Sequence, residues 1–194
     1  MSVARLLGQH KFRLFACNYA PTYKTFITHR VQDDVQHPLN EVQRRLSRER
    51  KREGLWWNVT VGVTLSKAKV VRSWVRRRLQ SAFIEELRER DIEQDGKLIV
   101  DKAGKVGRHG IPAQVLKQLG DVSLMGSVRL HARPTVILAK YADVRRETGL
   151  VADALLQGLK AELKFAEPRS ERKMQGLLQP RKAQVPPRYM PGDT

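Results

Sequence analysis

The chain has 194 residues, 41% of them hydrophobic, which suits one domain with a core of its own. Against 20 Asp and Glu stand 37 Lys and Arg, a formal charge of +17; such an excess repels itself and is relieved by a polyanion, so nucleic acid is the expected partner. Cys17 is the single cysteine, which excludes an intramolecular disulfide and a cysteine-rich zinc site, and no run approaches the ~20 apolar residues that span a bilayer.

Residues 1–32 contain Arg5, Lys11, Arg13, Lys24 and Arg30 but no acid; the first is Asp33. A basic, acid-free start has the composition of a mitochondrial import signal. The same stretch also reads as structure. Phe12, Leu14 and Ala16 alternate with Lys11, Arg13 and Phe15, and 22–28 is rich in Thr, Tyr and Phe. Residues 1–20 are therefore an import signal or a first strand, and an uncleaved signal that folds satisfies both readings.

Pro38 and Asn40 open a helix expected to reach about Arg52, with Leu39, Val42 and Leu46 as a narrow apolar stripe and Gly54 as its stop. Over 56–65, Val59, Val61, Val63 and Leu65 alternate with Asn58, Thr60 and Thr64, the period of a half-buried strand; this strand is expected at the centre of the sheet. Ser66 should cap a long helix to about Arg90. Its apolar positions, Val70, Val71, Trp74, Val75, Leu79, Ala82, Phe83 and Leu87, recur near 3.6 residues. Residues 91–110 read as a turn at Asp95-Gly96, a short strand at Leu98-Ile99-Val100 and a glycine-rich loop. A short helix is expected over 111–119 with Pro112 in its first turn, then strands at 127–132 and 135–139. A second amphipathic helix over 143–165 carries Val144, Leu150, Ala154, Leu155 and Leu159, with an internal Gly149. From Glu167 the apolar period fades and five of the nine prolines appear; 167–194 is expected to be a basic tail, disordered until bound.

These elements predict an α+β fold over 21–166. A small mixed sheet packs against two amphipathic helices, with a basic flanking helix and a disordered C-terminal tail.

Three constellations point to function. Arg44, Arg45, Arg48, Arg50, Lys51 and Arg52 surround the lone Glu49. On a helix, Arg44 repels Arg48 and Arg48 repels Arg52, a strain that phosphates relieve. Lys67, Lys69, Arg72, Arg76, Arg77 and Arg78 precede any acid on the second helix, whose far end holds Glu85, Glu86, Glu89 and Asp91. That order opposes the helix dipole. A phosphate bound near Ser66 at the helix start, approached through these cations, accounts for it. Between the clusters, Trp56 and Trp57 face opposite ways on a strand, and Trp56 is a candidate for stacking on unpaired bases. The alternatives are a solvated helix face, acids from another element pairing these bases, and tryptophan packed in the core.

The run Gly62-Val63-Thr64-Leu65-Ser66-Lys67, followed by an arginine-rich helix and Arg76-Arg77-Arg78-Leu79, resembles the bacterial protein subunit of ribonuclease P. That resemblance covers roughly residues 57–90. It implies an RNA-binding subunit whose RNA does the chemistry, with a returning strand at 134–139 and a last helix at 143–164. The chain departs from the family where Arg72-Ser73-Trp74 replaces its Arg-Asn-Arg core, and where about 40 residues separate helix from returning strand. In general style, with basic ends around a compact α+β domain, the chain also resembles mitochondrial ribosomal proteins.

An enzyme finds little support. His10, His29, His37, His109 and His131 include no pair at metal-ligand spacing. Asp95, Asp101 and His109 share a loop with Lys97, Lys102 and Lys105 rather than a rigid carboxylate cluster. No cofactor, metal or small-molecule substrate is expected, and no membrane insertion. The leading expectation is a structural RNA-binding component of a mitochondrial ribosome in the matrix, contacting ribosomal RNA and neighbouring proteins of the particle. The alternatives are a cytoplasmic or nuclear location, an RNA-processing or ribosome-assembly factor, and a DNA-binding or membrane-surface protein.

Overall fold

The computed structural model describes residues 2–25, 29–99, 110–111 and 122–166. In chain order these form α1 (Val3–Gln9), β1 (Phe15–Ala20), α2 (His29–Asp33), α3 (Asn40–Glu49), β2 (Leu55–Thr60), α4 (Lys69–Glu89), β3 (Gly126–Ala132), a 3-10 turn (Pro134–Ile137) and α5 (Tyr141–Ala166). The fold is α+β with a small mixed sheet of order β1-β3-β2, in which β1 is antiparallel and β2 parallel to β3. Residues Met1–Ala161 make one compact unit, with Glu162–Thr194 assigned to a second.

Alternation of side chains puts Leu55, Trp57 and Val59 of β2, Val128 and Leu130 of β3, and Phe15 of β1 on one face. Val75, Leu79, Phe83 and Leu87 of α4 are fully buried, as are Val144 and Val151 of α5, and Phe83 meets the Trp57 ring edge-on at 5.0 Å. The end of α4 is set by a Schellman arrangement. Asp91 takes φ 56°, its N–H donates to Arg88 O, and Ile92 N–H donates to Leu87 O. Buried Ile92 thereby closes over buried Leu87.

Several expectations are corrected. The central strand is β3, and β2 lies at an edge. β2 ends at Thr60, opposite His131, because its partner strand runs out one residue later. Without a partner for its amides the valine alternation cannot prolong a strand. The chain turns instead, Leu65 N–H donating to Gly62 O at 3.2 Å, and Val63 is exposed. The 135–139 segment is a 3-10 turn, since Pro134 has no N–H for a ladder. The described part of 22–28 is not a strand: Lys24 N–H donates to Ser127 Oγ and Ser127 Oγ donates to Thr22 O. At Leu98 and Lys97 only isolated bridges form, to Ile92 and Ser123. Val100, the glycine loop beyond it, all of the 111–119 helix after Ile111, and the 167–194 tail lie outside the described residues.

Helix α3 stops at Glu49, three residues before the expected end, and Arg50–Glu53 leave it in a non-helical run. Gly54 is not its stop. At φ 66° it lets Leu55 N–H reach Asp95 O at 2.6 Å, where a side chain on Gly54 would overlap that carbonyl. Ser66 is not the cap of α4 either. The cap position is Ala68, and Ser66 Oγ accepts from the Ala68 N–H at 3.2 Å in the turn before it.

Candidate nucleic-acid interface

Helix α4 carries both signs of charge, and its two halves are treated differently. In the second half, Glu86 is buried and paired with Arg90 at 2.7 Å and with Arg145 of α5 at 2.8 Å. Arg145 also holds Glu85 and Glu89, and Arg90 also holds Asp153 of α5 at 2.7 Å. Burial opposes the Arg90 charge, yet hydrogen bonds to Asp153 and Glu86 leave its pKa above the ordinary value. Hydrogen bonding to Glu89 and Glu86 raises that of Arg145 despite some desolvation. Gly149 of α5 faces Glu86 and Arg90 of α4, and a Cβ there would stand 2.7 Å from Glu86 Oε2. Glu85, Glu86 and Glu89 at the far end of α4 are therefore engaged in joining two helices.

In the first half the cations divide. Arg72 donates to Ser66 O and Lys67 O, both at 2.7 Å, and fixes the turn into the helix. Arg78 donates to Val136 O at 3.3 Å and Ala139 O at 2.5 Å, fixing the 3-10 turn. Lys67, Lys69, Arg76 and Arg77 are exposed, and among the described residues none has an ion-pair partner.

The other cluster belongs to the opposite face of the sheet. Arg44 donates twice to Gln32 O, at 3.2 and 3.1 Å, and buried Asn40 donates to carbonyls of Val31, Gln32 and Asp34. These bonds tie α3 to α2. Arg45 pairs with Glu49 across one helical turn. Arg48, Arg50, Lys51 and Arg52 are exposed without an acid partner among the described residues. Arg50 lies 3.9 Å above the Trp56 ring, which also meets Tyr23 at 5.0 Å. Trp56, expected to be the exposed indole, is only 9% exposed. Trp57 is also held, its Nε1–H donating to Gln94 O at 2.8 Å. Because Trp56 and Trp57 point to opposite faces, the two basic clusters do not make the single positive surface expected of them.

The tryptophan that does reach solvent is Trp74, expected in the core but 47% exposed. At 100° per residue it falls roughly 140° from the middle of the buried α4 stripe, so a helical wheel drawn on the deeper apolar positions alone would have shown it outside. Val70 lies on the same outer side at 79% exposure.

Two further features had no clear signal in the sequence. The sheet face away from α4 carries Asn18, Arg129 and Asn58 in one row across all three strands. Beside them Arg129 Nε–H donates to Thr60 Oγ1 at 3.0 Å, and Thr60 Oγ1 lies 2.9 Å from His131 Nδ1. Desolvation and the neighbouring Arg129 lower the His131 pKa. A groove of 330 Å³ runs from this face toward α3, between Asn58, Trp56, Leu46, Arg50 and Lys24. A second cleft, 840 Å³, follows the free side of β1 beside Lys11, Arg13, Arg133 and Phe12. Both depend on strand register, which links residues distant in the sequence, such as Phe15 with Ala132 and Trp56 with Ser127.

What these surfaces offer is positive charge on ordered backbone, hydrogen-bond donors and one open indole. Among the described residues no group of three or more His, Cys, Asp or Glu is placed to hold a metal ion, and no helix is long and apolar enough to cross a membrane. Asp101 and His109 lie outside the described residues. No family model matches the chain, and neither a curated protein nor a solved structure matches it significantly.

Proposed function

We propose that this protein is a non-enzymatic RNA-binding component of a ribonucleoprotein particle, a mitochondrial ribosome in the first reading, which grips the phosphates of structured RNA. One observation carries the proposal: α4 keeps its acids for α5 while Lys67, Lys69, Arg76 and Arg77 stay exposed and unpaired among the described residues. Intramolecular pairing thus neutralises one end of the helix and leaves the other for an external anion. Arg48, Arg50, Lys51 and Arg52 supply a second contact on the opposite sheet face. Recognition would follow RNA shape, since phosphate contacts orient a protein without reading sequence. The acid-free stretch 1–32 supports the mitochondrial matrix as the location.

The test is affinity against salt. Each neutralised phosphate adds roughly 0.7–0.9 to the slope of log affinity on log salt. Replacing Lys67, Lys69, Arg76 and Arg77 together with Ala should lower that slope by roughly 3 and leave the fold intact. An unchanged slope would remove α4 from the interface. Sedimentation of the native protein with ribosomal subunits carrying mitochondrial ribosomal RNA would support the ribosomal assignment.

A second reading, a ribonuclease P-like protein subunit, is favoured by element order. A strand, β2, leads through Ser66-Lys67 into basic α4, and the chain returns parallel beside it as β3 before a last helix, α5. The returning strand is Gly126–Ala132, not 134–139. Migration in light fractions with precursor transfer RNA would favour this reading over the ribosomal one.

A further inference from the structure

The geometry points to Trp74 as a stacking site for an unpaired nucleobase, placed so that the flanking α4 cations hold the phosphates on either side of it. This deepens the RNA-binding proposal and rests on it.

Burying an indole stabilises a fold substantially, yet α4 turns Trp74 outward, 47% exposed, while Phe83, Leu79 and Val75 on the same helix are fully buried. The exposed ring is nonetheless held in place. The Arg78 guanidinium lies 4.9 Å from its centroid and is itself anchored on two carbonyls, Val136 O and Ala139 O. The same guanidinium lies 6.0 Å from the Tyr141 ring, whose hydroxyl donates to Glu85 at 2.8 Å. Desolvation and this hydrogen bond push the Tyr141 hydroxyl up to about 12. An aromatic held this way loses little freedom when a flat ligand stacks on it. The Trp74 indole N–H has no acceptor among the described residues, so it remains available to an incoming oxygen.

The surroundings select the ligand. Helical spacing puts Val70, Arg77 and Arg78 beside Trp74 at i−4, i+3 and i+4; exposed Lys69 and Arg76 lie on the same helix, with exposed Lys67 in the turn before it. A stacking ring beside exposed cations that have no acid partner among the described residues fits a base with its phosphates. Exposed Val70, Leu138 and Tyr141 would also suit a bilayer surface. A guanidinium fixed inside the patch makes insertion into hydrocarbon costly, whereas stacking on the indole leaves that guanidinium's carbonyl contacts in place.

The experiment compares an RNA hairpin with an unpaired loop and a fully paired duplex of equal length, using the whole chain, Trp74→Ala and Trp74→Phe. Unchanged thermal unfolding of the variants certifies the fold. The expected result is about a tenfold or larger loss of hairpin affinity in Trp74→Ala, most of it recovered in Trp74→Phe, with duplex affinity unchanged. Tryptophan emission should be quenched by the hairpin in the wild type and far less in Trp74→Phe. Equal loss on both RNAs, or no loss on either, overturns the stacking site while leaving RNA binding standing. Absence of binding to both RNAs by the wild type overturns the parent proposal and this one with it. A blue shift of the Trp74 emission on anionic phosphatidylserine vesicles, without quenching by the hairpin, makes the patch a membrane contact and overturns the nucleobase.

Discussion

Removing the Glu86 carboxylate should weaken the fold without touching the basic surface. The Glu86 side chain is 9% exposed and bridges Arg90, 18% exposed, and Arg145, 30% exposed. Taking one partner from a fully buried ion pair costs about 3–5 kcal/mol. Here each arginine keeps another carboxylate, Asp153 at 2.7 Å for Arg90 and Glu85 at 3.4 Å for Arg145, and both guanidinium groups remain partly wetted. The expected loss for Glu86→Ala is therefore about 2 kcal/mol. Glu86→Gln keeps the shape and one acceptor and should cost about 1 kcal/mol. Urea unfolding measures this directly: with a slope near 2 kcal/mol per molar, the Glu86→Ala midpoint should fall by about 1 M. A double-mutant cycle with Arg145→Ala should return a coupling of about 1 kcal/mol. RNA affinity of the folded variant should match wild type, because the residues proposed to bind lie in the first half of α4, in the turn before it, or on the opposite sheet face. An unfolding free energy within about half a kcal/mol of wild type, or lost RNA affinity in a folded protein, would refute the division of α4 into a neutralised half and a binding half.

Gly158→Ala places a methyl group where Val3 of α1 packs on α5; the expected cost is about 1–3 kcal/mol, read as a fall in melting temperature of about 2–4 °C per kcal/mol. His131 has a folded-state pKa below its unfolded value. The unfolded chain therefore takes up the proton first, and stability present above the unfolded pKa should be lost as pH falls through the folded one. Urea midpoints between pH 7.5 and 5 should decline less in His131→Gln than in wild type. Desolvation of the half-buried Cys17 pushes its thiol up to about 12, so at pH 8 the native protein should hold far less thiolate than an exposed cysteine. Iodoacetamide should label it slowly until urea unfolds the chain, and rapid native labelling would contradict the burial.

Some of this architecture is local and therefore visible along the chain. The period of α4 from Val75 to Leu87, that of α5, and the apolar stretch that becomes β3 depend on neighbours a few positions apart. The excess of cations and their order on α4 are properties of the sequence in the same sense. Which of them remain exposed is a tertiary matter. Arg44, Arg72 and Arg78 are drawn to backbone carbonyls, and of these the Arg78 acceptors lie about sixty residues away. The end of β2 at Thr60 was decided by the length of its partner strand, and the exchange of Trp56 and Trp74 between core and surface by what each face of the sheet and helix had to cover. Periodicity is set by bonds along the chain, but burial is set by which distant segments meet. In this protein the sequence by itself determined the two long helices, α4 and α5, and their charge, and only the tertiary contacts decided which charges and which indole face outward.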